Sequence, residues 1–358
     1  MSQIKILRSL SNINGKNDLG NNYIFWFFFV LFLLLGLFSP LILSRYQLLN
    51  LSNHITNIFL GLSLCLIWGY CGILSLGQSL FLGLGGYTYG IVGINLIETH
   101  GNTHVALLMG IIVPIFTAFI LGYLMFFARL KGVYVAILML VVSLLFETFL
   151  NQTAGPGWFV GEAHLGGNNG LGRFSGVIRE PPSLIFSFRE NTIEFVGSSI
   201  QFYYLCFGLA LITFLALRLL VNSRFGYKMI AIREDVDRTE ALGHNIKLIQ
   251  LIVFCVGAGL ASMSGILYVS WGNFITPDTF GVYNNILPVI WVAVAGRKSL
   301  TAALLGSFFI SWISQWLNEQ GDYALVALGA ILLSSMLFAP EGVIVKITQK
   351  LSVKLSKQ

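Results

Sequence analysis

Ten apolar runs, most of them about as long as a membrane is thick, constrain this chain more than any other feature of its sequence. A helix needs ~20 apolar residues to cross the hydrocarbon core of a bilayer. The sequence therefore predicts an all-α polytopic membrane protein with about ten transmembrane helices. We place these spans at residues 24–43, 53–74, 76–97, 104–127, 132–150, 201–221, 248–271, 284–296, 299–317 and 323–339.

One of these runs, 284–296, is short and contains Pro288. A helix interrupted in this way is tolerated at membrane depth where it is buried in protein or lines a cavity. We therefore expect a broken or re-entrant segment here, and this expectation leaves the number of complete spans open. Glycine and alanine at Gly86, Gly90, Ala261 and Gly265 predict places where helices approach each other closely.

The distribution of basic residues predicts the orientation. Lys and Arg concentrate in the tails and in alternate loops, as cytoplasmic segments do. Both termini are then cytoplasmic. The chain divides into a polar tail (1–22), a transmembrane domain (23–345) with a long external loop (151–200) and a charged cytoplasmic loop (222–247), and a basic tail (346–358).

Composition and motifs exclude several function classes. The chain is 56% hydrophobic and 10% charged, and its net charge of +6 lies in short clusters between apolar runs, which is not the continuous basic surface of a nucleic-acid-binding protein. The sequence contains no P-loop, no Cys-x-x-Cys pair and no His spacing typical of a metal site. No catalytic constellation is present either, so we interpret the chain as non-catalytic.

The spans contain almost no ionisable residues, with Glu147 as an exception. Ion-coupled transporters commonly carry acids inside the membrane, so the sequence favours a path for a small uncharged or zwitterionic solute. Polar residues at the start of the third span are candidates to line such a path: Ser75, Gln78, Ser79, Tyr87 and Thr88. The alternative is a closely packed helix whose hydroxyls bond to its own backbone.

The charged loop 222–247 holds nine charged residues in 26 positions. As one helix it would pair Glu234 with Arg238 and Arg233 with Asp237 at four-residue spacing. A second stripe would be apolar, with Met229, Ile232 and Val236, and Gly243 would end the helix. A two-faced helix between two membrane spans predicts a docking role.

Four motifs together resemble the permease subunits of ABC importers for branched-chain amino acids and urea. They occur in the family's order, between about Leu48 and Val345. They are the loop residues Ser223–Gly226, Ala231–Glu234 and Glu240–Gly243; the signature Gly69–Gln78; the external glycine motif Gly166–Leu171; and the late run Ile290–Arg297. The late run departs from the family, because Ala295 lies where a glycine is usual and Lys298, the residue just after the run, lies where another would be.

The resemblance implies a division of labour. A second, related permease would complete the pore, two cytoplasmic ATPase subunits would hydrolyse ATP, and an extracytoplasmic binding protein would deliver the solute at the inner membrane of a bacterium. It implies no cofactor in this subunit. It assigns ATPase coupling to Gly226, Ile232, Arg233, Glu234, Arg238, Glu240, Ala241 and Gly243. On composition alone, the loop motif Gly166, Gly167, Asn168, Asn169 and Gly170 is either a contact for the binding protein or a merely tolerated loop.

The asparagine pair and the Ile-Trp-Val-Ala-Val run are most similar to urea permeases, so urea is the solute that the resemblance implies. Branched-chain amino acids or short amides remain alternatives within the same class. A stand-alone secondary transporter or channel is the alternative from another class, and the behaviour of the 222–247 helix distinguishes it.

Overall fold

The computed structural model of the protein describes residues 18, 23–155, 157–172, 180–188, 191–319, 321, 324–339 and 341–346. Helices dominate this part of the chain. In chain order they are α1 (Tyr23–Ile42), α2 (Arg45–Leu64), α3 (Gln78–His100), α4 (His104–Phe127), α5 (Val133–Asn151), α6 (Ile200–Val221), α7 (Arg224–Glu234), α8 (Val236–Ala241), α9 (Ile246–Gly272), α10 (Val282–Ala295), α11 (Leu300–Glu319) and α12 (Ala324–Phe338).

Seven helical segments in the described ranges are long and apolar enough to cross a membrane. They are α2 with the turn that follows it, α3, α4, α5, α6, α9 and α11. Shorter apolar helices lie at Phe29–Ile42, Val282–Ala295 and Val326–Ser335, within the three remaining predicted runs. The chain is therefore a multi-helix membrane protein, and the exact number of spans stays a prediction.

The predicted span 53–74 has the wrong boundaries, because α2 begins at Arg45 and the chain leaves helical geometry after Tyr70. Ser44 starts α2 with a capping box that it shares with Gln47. A π-helical turn, Cys65–Tyr70, ends the helix, and residues 72–77 before α3 are not helical. Non-helical backbone inside a membrane protein is stable where protein surrounds it.

Helices α2, α3 and α9 form the centre of the bundle. Small residues let α3 and α9 touch, as the sequence predicts. A side chain at Gly265 would collide with the Leu82 carbonyl of α3, and one at Gly85 would lie 2.7 Å from the Ser262 Cα of α9. This close approach holds the start of α3 against the middle of the bundle.

The long loop contains strands, so the all-α prediction is wrong in this detail. Two antiparallel hairpins occur in its described part: β1 (Phe159–Val160) with β2 (Ala163–His164), and β3 (Leu184–Phe188) with β4 (Asn191–Phe195). We call this end of the bundle the loop end. The loop is tied down there, since the backbones of Leu171 and Ile275 exchange two hydrogen bonds of 2.9 and 3.0 Å.

The opposite end carries α7 and α8, and we call it the coupling end. A buried ion pair lies inside it, where Arg218 Nη1 of α6 donates to Asp18 Oδ2 at 3.0 Å. Asp18 also accepts from Ser299 Oγ at 2.6 Å and Thr301 Oγ1 at 3.0 Å, at the start of α11. The predicted tail 1–22 otherwise lies outside the described residues, as does the predicted tail 346–358 beyond Lys346.

Candidate functional site

A polar groove of about 340 Å³ lies between α2, α3, α9, α10 and α11. The short helix α10 lines this groove, as expected. It runs without a break through Pro288, so the expected interruption of the helix is wrong. The polar lining residues are Asn53, His54, Asn57, Ser79, Tyr268, Thr276, Thr279, Tyr283, Asn284, Ser311, Ser314, Gln315 and Asn318, and the larger apolar ones are Leu60, Leu82, Leu287 and Trp291.

The lining of the groove is electrically neutral. Among the described residues that surround it, none is Asp, Glu, Lys or Arg. Several side chains bond across helix boundaries: His54 Nδ1 with Ser311 Oγ at 3.2 Å, and Ser79 Oγ to the Asn284 carbonyl at 2.6 Å. Such a surface offers hydroxyl and amide hydrogen bonds to a solute without offering a fixed charge.

Among the described residues of the groove lining, two side chains each have a polar atom with almost no accessible surface and no hydrogen-bond partner. These atoms are the indole Nε1 of Trp291 on α10 and the amide Oδ1 of Asn53 on α2. Trp291 is only 4% exposed. Buried polar groups are normally satisfied by protein or water, because an unmade hydrogen bond costs about 1–3 kcal/mol.

Of the predicted path-lining residues, only Ser79 reaches the groove. Gln78 is buried and accepts from Ser63 Oγ at 2.9 Å, while Ser75 is buried in the irregular segment before α3. Tyr87 is buried against Phe280. The placement of these residues therefore does not support a pathway role for most of them.

Sequence reasoning missed the groove residues of α2 and α11. Their signal is present in the sequence: Asn53 and Asn57 are four apart in an apolar helix, and Ser311, Gln315 and Asn318 repeat at helical spacing on α11. Polar residues that share one face of a membrane helix indicate a path more specifically than residues chosen for clustering in sequence.

At the coupling end, the predicted single helix is two helices. Asp235 has an extended backbone (φ −155°, ψ 105°), and its side chain accepts from the backbone N–H of Arg238 to begin α8. This break separates the four-residue pairs that the sequence predicts. Arg238 pairs instead with Asp235 at 3.0 Å and Arg233 with its neighbour Glu234 at 2.6 Å, so the predicted pairing is wrong.

The eight residues assigned to coupling face two ways. Gly226 and Ile232 are buried, and Arg233 points inward with a side chain that is 17% exposed. The exposed members of the set are Glu234, Arg238, Glu240, Ala241 and Gly243. Gly243 has a positive φ of 83° just after α8, as expected of a glycine that ends a helix.

Arg233 joins the coupling helices to the break after α2. Its Nη1 donates to the Gly69 carbonyl at 2.6 Å, and its Cα would lie 3.2 Å from a Cβ at Gly72. Gly72 has a φ of 78°, a conformation that favours glycine. Two motifs that are far apart in sequence thus form one contact.

Ion pairs connect α7 and α8 to both neighbouring loops. Glu240 pairs with Arg129 at 3.5 Å, and Glu234 with Lys298 at 3.8 Å. The hydrogen bond from Arg233, followed by the nearby charges of Arg233 and Lys298, lowers the pKa of the exposed Glu234. A cleft of about 200 Å³ lies beneath α7 and α8 and is lined by the loop that holds Arg129 and by the segment 71–73 after α2.

The loop between α10 and α11 accommodates Ala295 and Lys298, the two residues that replace the family's glycines. The methyl group of Ala295 packs where a side chain at Gly306 would collide with it, and Lys298 reaches Glu234. Gly296, between them, has a φ of 134°. The substitution of glycine at 295 is therefore compensated by a glycine on α11.

The external motif forms a tight turn at the loop end. Gly167–Asn169 is a 3-10 turn in which Gly167 and Gly170 are buried and the side chains of Asn168 and Asn169 are exposed. A side chain at Gly170 would collide with the Ile275 carbonyl. The glycines thus have a packing role, and the asparagines are accessible to a partner.

Glu147, the ionisable residue that the sequence placed inside a span, lies against Gly281.

Comparison with known proteins assigns the family. Residues 47–339 match the family described as branched-chain amino acid transport system, permease component, and the chain belongs to it. The chain is 24% identical over 348 residues to the high-affinity branched-chain amino acid transport system permease protein LivM of Escherichia coli (strain K12), covering 91% of this chain and 76% of that protein. The corresponding LivM of Salmonella typhimurium is 23% identical over 344 residues, with the same coverage. No solved structure matches the chain.

Proposed function

We propose that this chain is a permease subunit of an ABC importer in a bacterial inner membrane, and that its solute is urea. The observation that carries the proposal is that the family match spans both the neutral groove and the coupling helices. A second permease encloses the pathway, two ATPase subunits dock on the coupling end, and a binding protein delivers solute at the loop end.

Two kinds of charged residue at the coupling end, exposed ones and one that points inward, support ATPase docking. Exposed charges at Glu234, Arg238 and Glu240 are available to a protein partner, while Arg233 reaches inward to Gly69. A push on α7 and α8 would therefore move the break between α2 and α3. Because Ser79 of α3 bonds to Asn284 of α10, that movement would reach the groove and bias it between two openings.

Branched-chain amino acids are the second candidate solute, because the family description and both LivM proteins name them. The neutral groove favours urea over a zwitterion, since charged groups are costly to hold in a membrane without charged partners. The two candidates share the same ATP-driven mechanism and differ in the solute alone.

Charge reversal tests the coupling role. Glu234→Lys and Arg238→Glu should each abolish ATP-dependent uptake of labelled urea in cells that carry the complete importer. Glu319→Lys, an exposed reversal on α11, is the matched control and should leave uptake unchanged. Uptake that survives both reversals, or that persists without ATP, would instead identify a self-contained carrier or channel. Uptake of labelled leucine in the same cells distinguishes the second candidate.

A further inference from the structure

The cleft beneath α7 and α8 is more basic than the groove, and its cations are only partly neutralised. Four of its described lining residues are basic and two are acidic. Arg129 and Lys131 pair with the two acids, but the side chains in both pairs are more than half accessible. Exposed pairs of this kind contribute little, so both cations remain available to another anion.

Lys247, at the start of α9, joins this cleft to the outer surface of the bundle. Its side chain lines the cleft, and its Nζ lies 5.5 Å from the centre of the Phe127 ring at the end of α4. It forms no ion pair with any described carboxylate. A lysine near the end of a membrane helix extends its ammonium group to the level of the lipid headgroups.

Stacked aromatic rings extend from Lys247 along the outer face of α4. Phe127 stacks on Tyr123 with ring centres 4.4 Å apart, and Tyr123 stacks on Phe119 at 6.4 Å. All three residues are between 41% and 48% exposed. Leu248, the residue after Lys247 on α9, is 47% exposed as well. A cation thus lies at one end of an exposed apolar surface.

The backbone of Arg129 supports a role for its side chain. Arg129 follows α4 with a positive φ of 58°, and the N–H of Leu130 donates to the Met125 carbonyl at 2.9 Å. This is the left-handed position after a helix where glycine is usual. Because other residues are strained in this conformation, an arginine here indicates a function for the side chain.

A phospholipid with an anionic headgroup has the complementary arrangement. Its phosphate accepts hydrogen bonds from lysine and arginine, and its acyl chains cover apolar surface inside the membrane. Basic pockets between helices on the cytoplasmic side of membrane proteins bind such headgroups. A free phosphate ion, or an acidic side chain of a partner protein, would meet the cations without covering the aromatic rings.

We propose that the cleft at the coupling end binds the phosphate of an anionic phospholipid between Arg129, Lys131 and Lys247, with the acyl chains along the rings of Phe127 and Tyr123. The inference goes beyond the proposed transport function and takes from it that the coupling end faces the cytoplasm. The bound lipid joins α4, α8 and α9 beside the surface proposed for ATPase docking.

Native mass spectrometry of the full chain, purified in detergent, tests this site because it resolves individual bound lipids. Titration with phosphatidylglycerol should show one lipid that binds more tightly than phosphatidylcholine with the same acyl chains. Lys247→Gln should weaken its binding about fivefold, as for one cation near a membrane surface. Arg224→Gln removes an exposed arginine outside the cleft, so it is the matched control and should keep the affinity within twofold.

Arg129→Gly is an independent variant that removes a cation and also relieves the left-handed backbone. It should weaken phosphatidylglycerol binding about fivefold as well. It should not lower the unfolding temperature of the lipid-free chain, because glycine adopts this conformation readily. A loss of lipid binding in this variant therefore cannot be explained by a loss of folding.

Equal affinity of the unaltered chain for phosphatidylglycerol and phosphatidylcholine would overturn the inference, as would unchanged affinity in both variants. Displacement of phosphatidylglycerol by inorganic phosphate, at concentrations that leave phosphatidylcholine bound, would identify a small-anion site instead. Weaker association of the ATPase subunits with Lys247→Gln in lipid-free detergent, at unchanged lipid affinity, would assign the cation to that partner. None of these results depends on the solute, so failure of the proposed function would be seen in uptake alone.

Discussion

The groove and the coupling end satisfy polar groups in opposite ways. In the groove, neutral side chains bond to one another and to backbone carbonyls, and two buried atoms of the described lining residues have no partner. At the coupling end, ion pairs connect α7 and α8 to both neighbouring loops, and a further pair, Arg218 with Asp18, is fully buried. A passing solute can replace neutral hydrogen bonds between groove side chains with its own. A docking surface must instead keep its structure when a partner protein pushes on it.

The buried pair should give the largest effect. Arg218→Met leaves the Asp18 carboxylate buried without its cation, so the free energy of unfolding should fall by about 3–5 kcal/mol. Thermal unfolding of the purified protein in detergent measures the change. Arg45→Met, an exposed arginine at the loop end, is the control, and the double variant Asp18→Asn with Arg218→Met should recover most of the loss. Equal losses in the single and double variants would show that the pair itself contributes little.

Arg233→Met should uncouple the two regions. It removes a charge-assisted hydrogen bond to the Gly69 carbonyl, which is worth about 1.5–3 kcal/mol, so ATP-dependent uptake should fall at least about tenfold while the ATPase subunits continue to hydrolyse ATP. Uptake and ATP hydrolysis measured on the same preparation check this. Arg224→Met, exposed on the same helix, should change neither rate. A parallel fall in both rates would indicate lost docking and not lost transmission.

Ser79→Ala should have a moderate effect within the groove. It removes the 2.6 Å bond from α3 to the Asn284 carbonyl of α10, a loss of about 0.5–1.5 kcal/mol in the free energy of unfolding. The same change at Ser334, an exposed hydroxyl that bonds within its own helix, serves for comparison and should be close to neutral. Chemical unfolding of both variants measures the difference. Equal losses in the free energy of unfolding would show that the Ser79 hydrogen bond does not connect α3 to α10.

The smallest effect concerns pH at the coupling end. Because Arg233 and Lys298 lower the pKa of Glu234, the stabilisation from its ionised form is present above the usual glutamate pKa of 4.5 and is lost as pH falls through the lowered value. Association with the ATPase subunits should therefore show no Glu234-dependent change between about pH 8 and pH 5. Glu234→Gln should weaken association throughout that range. A Glu234-dependent transition near neutral pH would contradict the lowered pKa.

Several features follow from local sequence, and the rest depend on distant contacts. The lengths of the apolar runs predicted the helices, and Gly86 and Gly265 predicted the close packing of α3 and α9. The short run with Pro288 predicted a segment that lines a cavity, but the interruption expected there is wrong, because α10 is a continuous helix. The pairing of Glu234 with Arg238 was predicted wrongly, because periodicity treats the segment as continuous and does not reveal that Asp235 caps a new helix.

The sequence by itself determined a helical membrane protein of the permease family, because hydrophobic length and ordered motifs are properties of the chain alone. Only the tertiary structure decided which polar residues share a groove and which arginine reaches inward. Asn53, Ser79 and Trp291 belong to three separate helices, and Arg233 meets Gly69 across 164 positions of sequence. Such contacts arise when helices pack, since the order of residues along each helix does not specify which neighbour its face will meet.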